Sequence, residues 1–198
     1  MPFSQLKQQY QNCQRCPSLC SSRTQVVFGS GNPQAQILFI GEAPGAEEDK
    51  QGIPFCGASG KVLTELLHSI SLSREDIFIT NTTLCRPENN RSPAKEEVQN
   101  CRDRLDQLIH IMKPKIIVTI GNFATERILR KTGVTSMRGK VFPLTIQGWE
   151  VLVVPVVHPA NYLYNGRNPA VLEQMKQDFK IIKHITEGTK TQKSLGEF

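Results

Sequence analysis

Runs of apolar residues alternate along this chain with segments whose apolar positions recur at helical spacing. AQILFIG (35–41) is a short apolar run ending at glycine, and DIFITN (76–81) and KIIVTIG (115–121) read as two further strands. KVFPLTI (140–146) and WEVLVVPVV (149–157), joined at Gln147-Gly148, predict a hairpin leading into a fourth core strand. Residues 57–69 bring Val62, Leu63, Leu66 and Leu67, with Ile70 just beyond, onto one helical face. A second helix is opened by Ser92-Pro93, has Glu96 and Glu97 in its first turn, and is stopped by Pro114. Its apolar face carries Val98, Cys101, Leu105, Leu108, Ile109 and Met112. Helices are also expected over 123–131 and about 169–186, after a polar, helical opening segment. The tail EGTKTQKSLGEF (187–198) has no apolar pattern and is expected to be disordered.

Strands alternating with helices predict an α/β layer architecture on a mainly parallel sheet. Ligands bind such sheets at the carboxyl ends of the strands. Four polar motifs fall there: GEAPG (41–45), NTTLCRP (81–87), GN (121–122) and HPA (158–160). No internal repeat or linker divides the chain, and its 198 residues suit one domain, taken as 1–186.

Composition narrows the class rather than the activity. With 38% hydrophobic and 21% charged residues, and no apolar stretch of membrane-spanning length, the chain reads as globular, with no membrane partner. The opening MPFSQLKQQYQNCQRC has no apolar stretch after its first basic residue, so no secretory signal is expected and a cytoplasmic location is. The formal net charge of +6 permits nucleic-acid binding through phosphate contacts but does not by itself call for it.

Six cysteines in a reducing compartment point to metal ligation or buried thiols, not disulfides. Cys13 and Cys16 form a C-x2-C pair that can grip one centre, and Cys85 and Cys101 complete a set of four. Zinc and a [4Fe–4S] cluster both accept four thiolates, and the spacing does not choose between them. Cys20 and Cys56 are surplus, Cys56 reading as a packed thiol beside Phe55.

Taken together and in order, GEAPGAEEDKQGIPF (41–55), NTTLCRPENNRSP (81–93), VHPA (157–160) and the four cysteines resemble the family-four uracil-DNA glycosylases, over about residues 10–185. The resemblance implies a three-layer α/β/α sandwich around a four-stranded, mainly parallel sheet. It implies a [4Fe–4S] cluster on Cys13, Cys16, Cys85 and Cys101, structural in role, and excision of uracil from single- or double-stranded DNA in base-excision repair. A monomer is expected.

The same resemblance assigns roles. Asn81 would read the flipped base: a carboxamide donates to uracil O4 and accepts from N3–H, and cytosine reverses both groups. Phe55 would stack on the base, and the backbone from Gly41 through Ala43 to Gly45 would line the pocket. His158 would donate to O2 as charge develops there. Ala43 stands where related families keep a water-positioning aspartate, leaving Glu42 and Glu48 as the carboxylates that orient water or stabilise the sugar cation. DNA contacts are expected from Arg86, Arg91, Arg138, Lys140 and Arg167, with Leu163 as the apolar wedge. Tyr164 occupies a position where the family usually has arginine.

Three other readings compete. A relative that captures uracil-DNA covalently would need a histidine before the last strand, and none lies between His110 and His158. An accessory DNA-binding domain without catalysis is disfavoured by Phe55, Asn81 and His158 occurring together. A structural zinc protein would be colourless where an iron–sulfur protein is brown.

Overall fold

The computed structural model describes residues 1–194, with side chains to 188. A short opening layer consists of α1 (Phe3–Gln11), α2 (Pro17–Ser22) and a two-residue strand β1 (Ser30–Gly31). The strand β2 (Ile37–Gly41) follows, then α3 (Ala46–Gln51), α4 (Ala58–Ser69) and β3 (Phe78–Asn81). Next come α5 (Lys95–Met112), β4 (Ile116–Ile120), α6 (Gly121–Leu129) and α7 (Val134–Met137). The hairpin β5 (Phe142–Ile146) and β6 (Trp149–Val156) leads to α8 (Ala160–Tyr164) and α9 (Pro169–Ser194).

The strands form one sheet in the order β1-β3-β2-β4-β6-β5. Its centre is the expected parallel set of four, β3-β2-β4-β6, with register pairs Gly41↔Asn81, Phe39↔Val118 and Val118↔Val154. Antiparallel β1 and β5 are added at the two edges, so the whole sheet is six-stranded and mixed. Every residue of β2, β3 and β4 is buried, the reason they read as continuous apolar runs rather than alternating ones. Alternate residues serve two cores: Leu38, Ile40 and Ile117 pack with α1 and α5, whereas Phe39, Ile79 and Val118 pack with α4 and α9. This is a three-layer α/β/α sandwich.

Element ends differ where side chains intervene. The helix expected to open at Ser92-Pro93 begins at Lys95, because the Glu97 carboxylate reaches back to accept the Ala94 N–H (2.7 Å). Lys113 turns left-handed (φ 46°) ahead of Pro114, ending α5 as expected. Gln147 and Gly148 both take positive φ, the conformation of the tight turn that joins twisted strands. The last helix continues past Thr186 to Ser194, into the segment expected as a disordered tail; residues 195–198 lie outside the described residues. Among the described residues no helix is long and apolar enough to cross a membrane.

Candidate active site

The chain reverses direction across the sheet between β2 and β4, since β3 is added on one side of β2 and β4 on the other. At the carboxyl ends of the four parallel strands lies a cleft of about 660 Å³. All four polar motifs contribute: Glu42 and Ala43 after β2, Asn81 at the end of β3, Asn122 at the start of α6, and His158 after β6. Glu48 and Phe55 enter from the α3 region.

Phe55 is held in a left-handed conformation (φ 53°), which a bulky residue adopts only when its surroundings impose it. Arg74 imposes it, donating to the Pro54 carbonyl (3.2 Å), the Phe55 carbonyl (2.5 Å) and the Gly60 carbonyl (3.1 Å). Position 60 must be glycine, because a Cβ there would fall on the Phe55 carbonyl. A Cβ at Gly41 would run into both the Phe55 ring and the Asn81 Oδ1. Gly41 therefore lets the aromatic wall and the amide floor approach each other.

Asn81 is 1% exposed, and its Oδ1 has no hydrogen-bond partner. A buried acceptor left unpaired costs about 1–3 kcal/mol, so a native one is a sign of a group kept for a ligand. Its backbone is fixed from below: Arg104 of α5 donates Nη2 to the Asn81 carbonyl (2.6 Å) and the Thr82 carbonyl (3.2 Å), and Nη1 to Thr80 Oγ1 (3.0 Å). Burial pulls the Arg104 guanidinium down to about 10, which leaves it charged at neutral pH.

His158 faces the Phe55 ring at 5.7 Å between centroids. The Ala160 N–H donates to its Nδ1 (3.1 Å), leaving Nε2 to carry the proton of a neutral ring. Burial lowers its pKa below 6.5, Glu48 acting weakly the other way, so the ring is neutral at pH 7. Glu48 accepts the Gly57 N–H (2.9 Å). Glu42 is half-buried and its pKa is raised above the ordinary carboxylate value by desolvation, with a Ser92 hydrogen bond opposing. The acidic run on α3 splits three ways: Glu47 is solvated and pairs with Lys50, Glu48 faces the cleft, and buried Asp49 accepts the Thr24 N–H.

The sequence model of the uracil DNA glycosylase superfamily matches residues 28–180. The type-4 uracil-DNA glycosylase of Sulfurisphaera tokodaii is 42% identical over 189 residues, spanning 92% of this chain and 84% of the relative. That of Archaeoglobus fulgidus is 43% identical over 179 residues, 88% of each chain. A bacterial example from Thermotoga maritima is 39% identical over 183 residues, 90% of this chain and 93% of the relative. The chain belongs to the type-4 uracil-DNA glycosylases.

Around the cleft of this type-4 glycosylase, the residues expected to meet DNA divide. Arg91 lines the cleft and is tethered to Glu97 through two bonds (2.9 and 2.6 Å). Arg86 bonds Asn90 (2.8 Å), and Arg167 is exposed after α8. Arg138 has a different position: 15% exposed, it pairs with buried Asp178 (2.8 Å) and donates to the Gln174 carbonyl, pinning α7 to α9. Leu163 is the residue the sequence suggests as the wedge. Leu163 packs inward against the α4–α9 core, whereas Tyr164 is 87% exposed and lines the cleft.

The four cysteines of the type-4 pattern lie on one side of the sheet, at the α1–α2 junction, after β3 and on α5. They are electrostatic neighbours: Cys16 senses Cys101 and Cys13, and Cys85 senses the same two. Arg23 Nη1 donates to Cys85 Sγ (2.9 Å) and Asn100 Nδ2 to Cys16 Sγ (3.5 Å). Donors aimed at sulfur suit thiolate ligands, so the donor set fits a four-thiolate centre. Among the described residues no three His, Cys, Asp or Glu side chains are gathered closely enough to hold a single metal ion. Cys20 reaches only the Cys13 carbonyl (3.5 Å), and Cys56 sits beside Glu48.

Sequence reasoning did not single out Arg74 or Arg104, and it noted Tyr164 only as a departure from the family pattern. Arg104 had a visible signal: Cys101, Arg104, Leu105 and Leu108 share one face of α5, and a charge on an apolar face needs an explanation.

Proposed function

We propose that this chain excises uracil from DNA by hydrolysing the N-glycosidic bond, leaving an abasic site, in base-excision repair of deaminated cytosine. The observation that carries the reading is the unpartnered Oδ1 of Asn81, buried beside the Phe55 ring on the cleft floor. It is an acceptor where uracil presents its N3–H, and the same amide's NH2 meets O4. Cytosine offers an acceptor and a donor in the opposite places, so both contacts fail. A polar mismatch of that kind discriminates more strongly than pocket shape.

In this mechanism the target nucleotide leaves the stack and its base slides against Phe55. As the glycosidic bond lengthens, the sugar takes oxocarbenium character and uracil becomes an anion with charge at O2. His158, neutral and with its proton on Nε2, donates to that oxygen; one such donor is typically worth ~10²–10³ in rate. Glu42 orients the attacking water, its raised pKa making it a stronger base than an ordinary carboxylate. Glu48, anchored on the Gly57 N–H, stabilises the cationic sugar. Arg86, Arg91 and Arg167 meet phosphates, and Tyr164, in place of Leu163, fills the gap left in the duplex.

Cys13, Cys16, Cys85 and Cys101 would hold the [4Fe–4S] cluster, which when bound cross-links the opening segment, the β3 loop and α5 and takes no part in hydrolysis. The domain of residues 1–186 acts as a monomer in the cytoplasm, on single- or double-stranded substrate.

The test is excision from labelled oligonucleotides carrying U opposite G, U opposite A, single-stranded U, or T opposite G. Alkali-labile abasic sites from the three uracil substrates and none from thymine are expected. Brown, iron-loaded protein that cleaves none of them would refute the activity.

A further inference from the structure

Arg104 heads the fully buried side chains by size, and no step of the reaction above uses it. Its fork holds Thr80, Asn81 and Thr82, the three residues that carry β3 into the cleft, while its Nε has no partner. A cation removed from water requires compensating negative charge or dense hydrogen bonding. No carboxylate pairs with it among the described residues. The groups of negative sign whose field reaches it are Cys101, one turn earlier on α5, then Tyr10 and Cys85, with Arg127 opposing. The Tyr10 phenol is neutral at physiological pH. Beyond those three hydrogen bonds, the negative charge within reach is that of the cysteines, and four thiolates around a metal–sulfur core would supply it.

We propose that Arg104 is a positioning residue that joins the four-cysteine centre to the base pocket: its fork fixes the backbone of Asn81, and its charge is balanced by the centre. The inference rests on reading the cleft as a uracil pocket and the cysteines as cluster ligands. It separates two properties of one side chain. Arg104→Lys keeps the charge and loses the fork, whereas Arg104→Gln keeps donors near the carbonyls and loses the charge.

The experiment compares holoenzymes of wild type and both variants in three measurements: the cluster's midpoint potential, kcat/KM on U opposite G, and binding to undamaged duplex. Removing a nearby positive charge makes reduction harder, so the potential should fall in Arg104→Gln and stay near wild type in Arg104→Lys. Excision should fall at least tenfold in both variants, with binding to undamaged duplex changed less than twofold. A general structural defect would not divide the readouts by charge in this way. A wild-type potential in Arg104→Gln overturns the charge half of the proposal, and wild-type excision in Arg104→Lys overturns the positioning half. If Arg104→Gln fails to fold, the excision rate of brown Arg104→Lys still decides the positioning half. Wild type that lacks iron, or that is iron-loaded and inactive on uracil, overturns the underlying reading instead and takes this inference with it.

Discussion

Asn81→Ala should reduce excision steeply while leaving the free protein nearly as stable as before, and the two effects come from the same atom. In the free protein Oδ1 is buried without a partner, so deleting it breaks no hydrogen bond at that oxygen and removes an existing penalty. That gain offsets the packing lost with the side chain. With uracil bound the sign reverses: O4 and N3–H enter the cleft and find no amide. Each unpaired polar group costs about 1–3 kcal/mol, or about 2–6 kcal/mol for the pair. At 1.36 kcal/mol per decade this is roughly 30-fold to 10⁴-fold in kcat/KM. Single-turnover excision on U opposite G, a melting curve, and binding to undamaged duplex measure the three quantities. A large drop in melting temperature, with excision and undamaged-DNA binding falling in proportion, would refute the reasoning and make Asn81 a structural residue. Asn81→Asp supplies a second arm. Its carboxyl accepts from the cytosine amine and repels uracil O4, so residual activity should move toward cytosine.

His158→Ala should lower the excision rate by about 10²–10³, and near-normal rates would remove the imidazole from the mechanism. Because burial keeps His158 neutral, the wild-type rate should not decline from pH 7 to 8.5; an alkaline limb in that range would mean that the imidazolium is the working form. Glu42→Gln should lose excision yet melt higher than wild type at pH 7, because the fold disfavours the ionised carboxylate. A raised folded pKa means that stability falls as pH rises from the unfolded value near 4.5 to the folded one, so the melting difference should close below pH 4.5; a lower melting temperature for the Gln variant at pH 7 would contradict it. Tyr164→Ala should reduce excision from duplex several-fold and from single strands little, whereas equal loss on both would place Tyr164 in the base pocket.

The parallel centre of the fold was legible because strands covered on both faces must be continuously apolar, and 35–41, 76–81 and 115–121 have no other use for such runs. β1 left no trace: two residues, Ser30 and Gly31, cannot carry a pattern. Leu163, expected as the wedge, turns toward the core and Tyr164 toward solvent for a local reason. Residues 163 and 164 point about 100° apart on a helix, and only the position of the neighbouring core decides which turns inward. Arg138 was beyond reach, since its partner Asp178 is brought to it by the packing of α7 against α9.

Phe55 and Asn81, the residues proposed to read the base, were singled out by motif, but what holds them was not, and the reason is the same on both walls of the pocket. Phe55 is fixed by Arg74 and Asn81 by Arg104, each arginine donating to backbone carbonyls. A carbonyl is present whatever the side chain, so nothing in GIPF or NTT announces that a guanidinium is required. In the proposed mechanism these bonds set the geometry of the pocket. Phe55 in a left-handed backbone and Asn81 with an empty acceptor are both unfavourable in the free protein. They persist because two rigid forks over-determine the backbone, so the pocket waits in its binding geometry and little ordering is left for the base to impose. Arg74→Lys should then weaken excision by releasing Phe55, since one ammonium cannot span the three carbonyls; unchanged excision with a relaxed Phe55 backbone would show that the pocket does not need to be preformed.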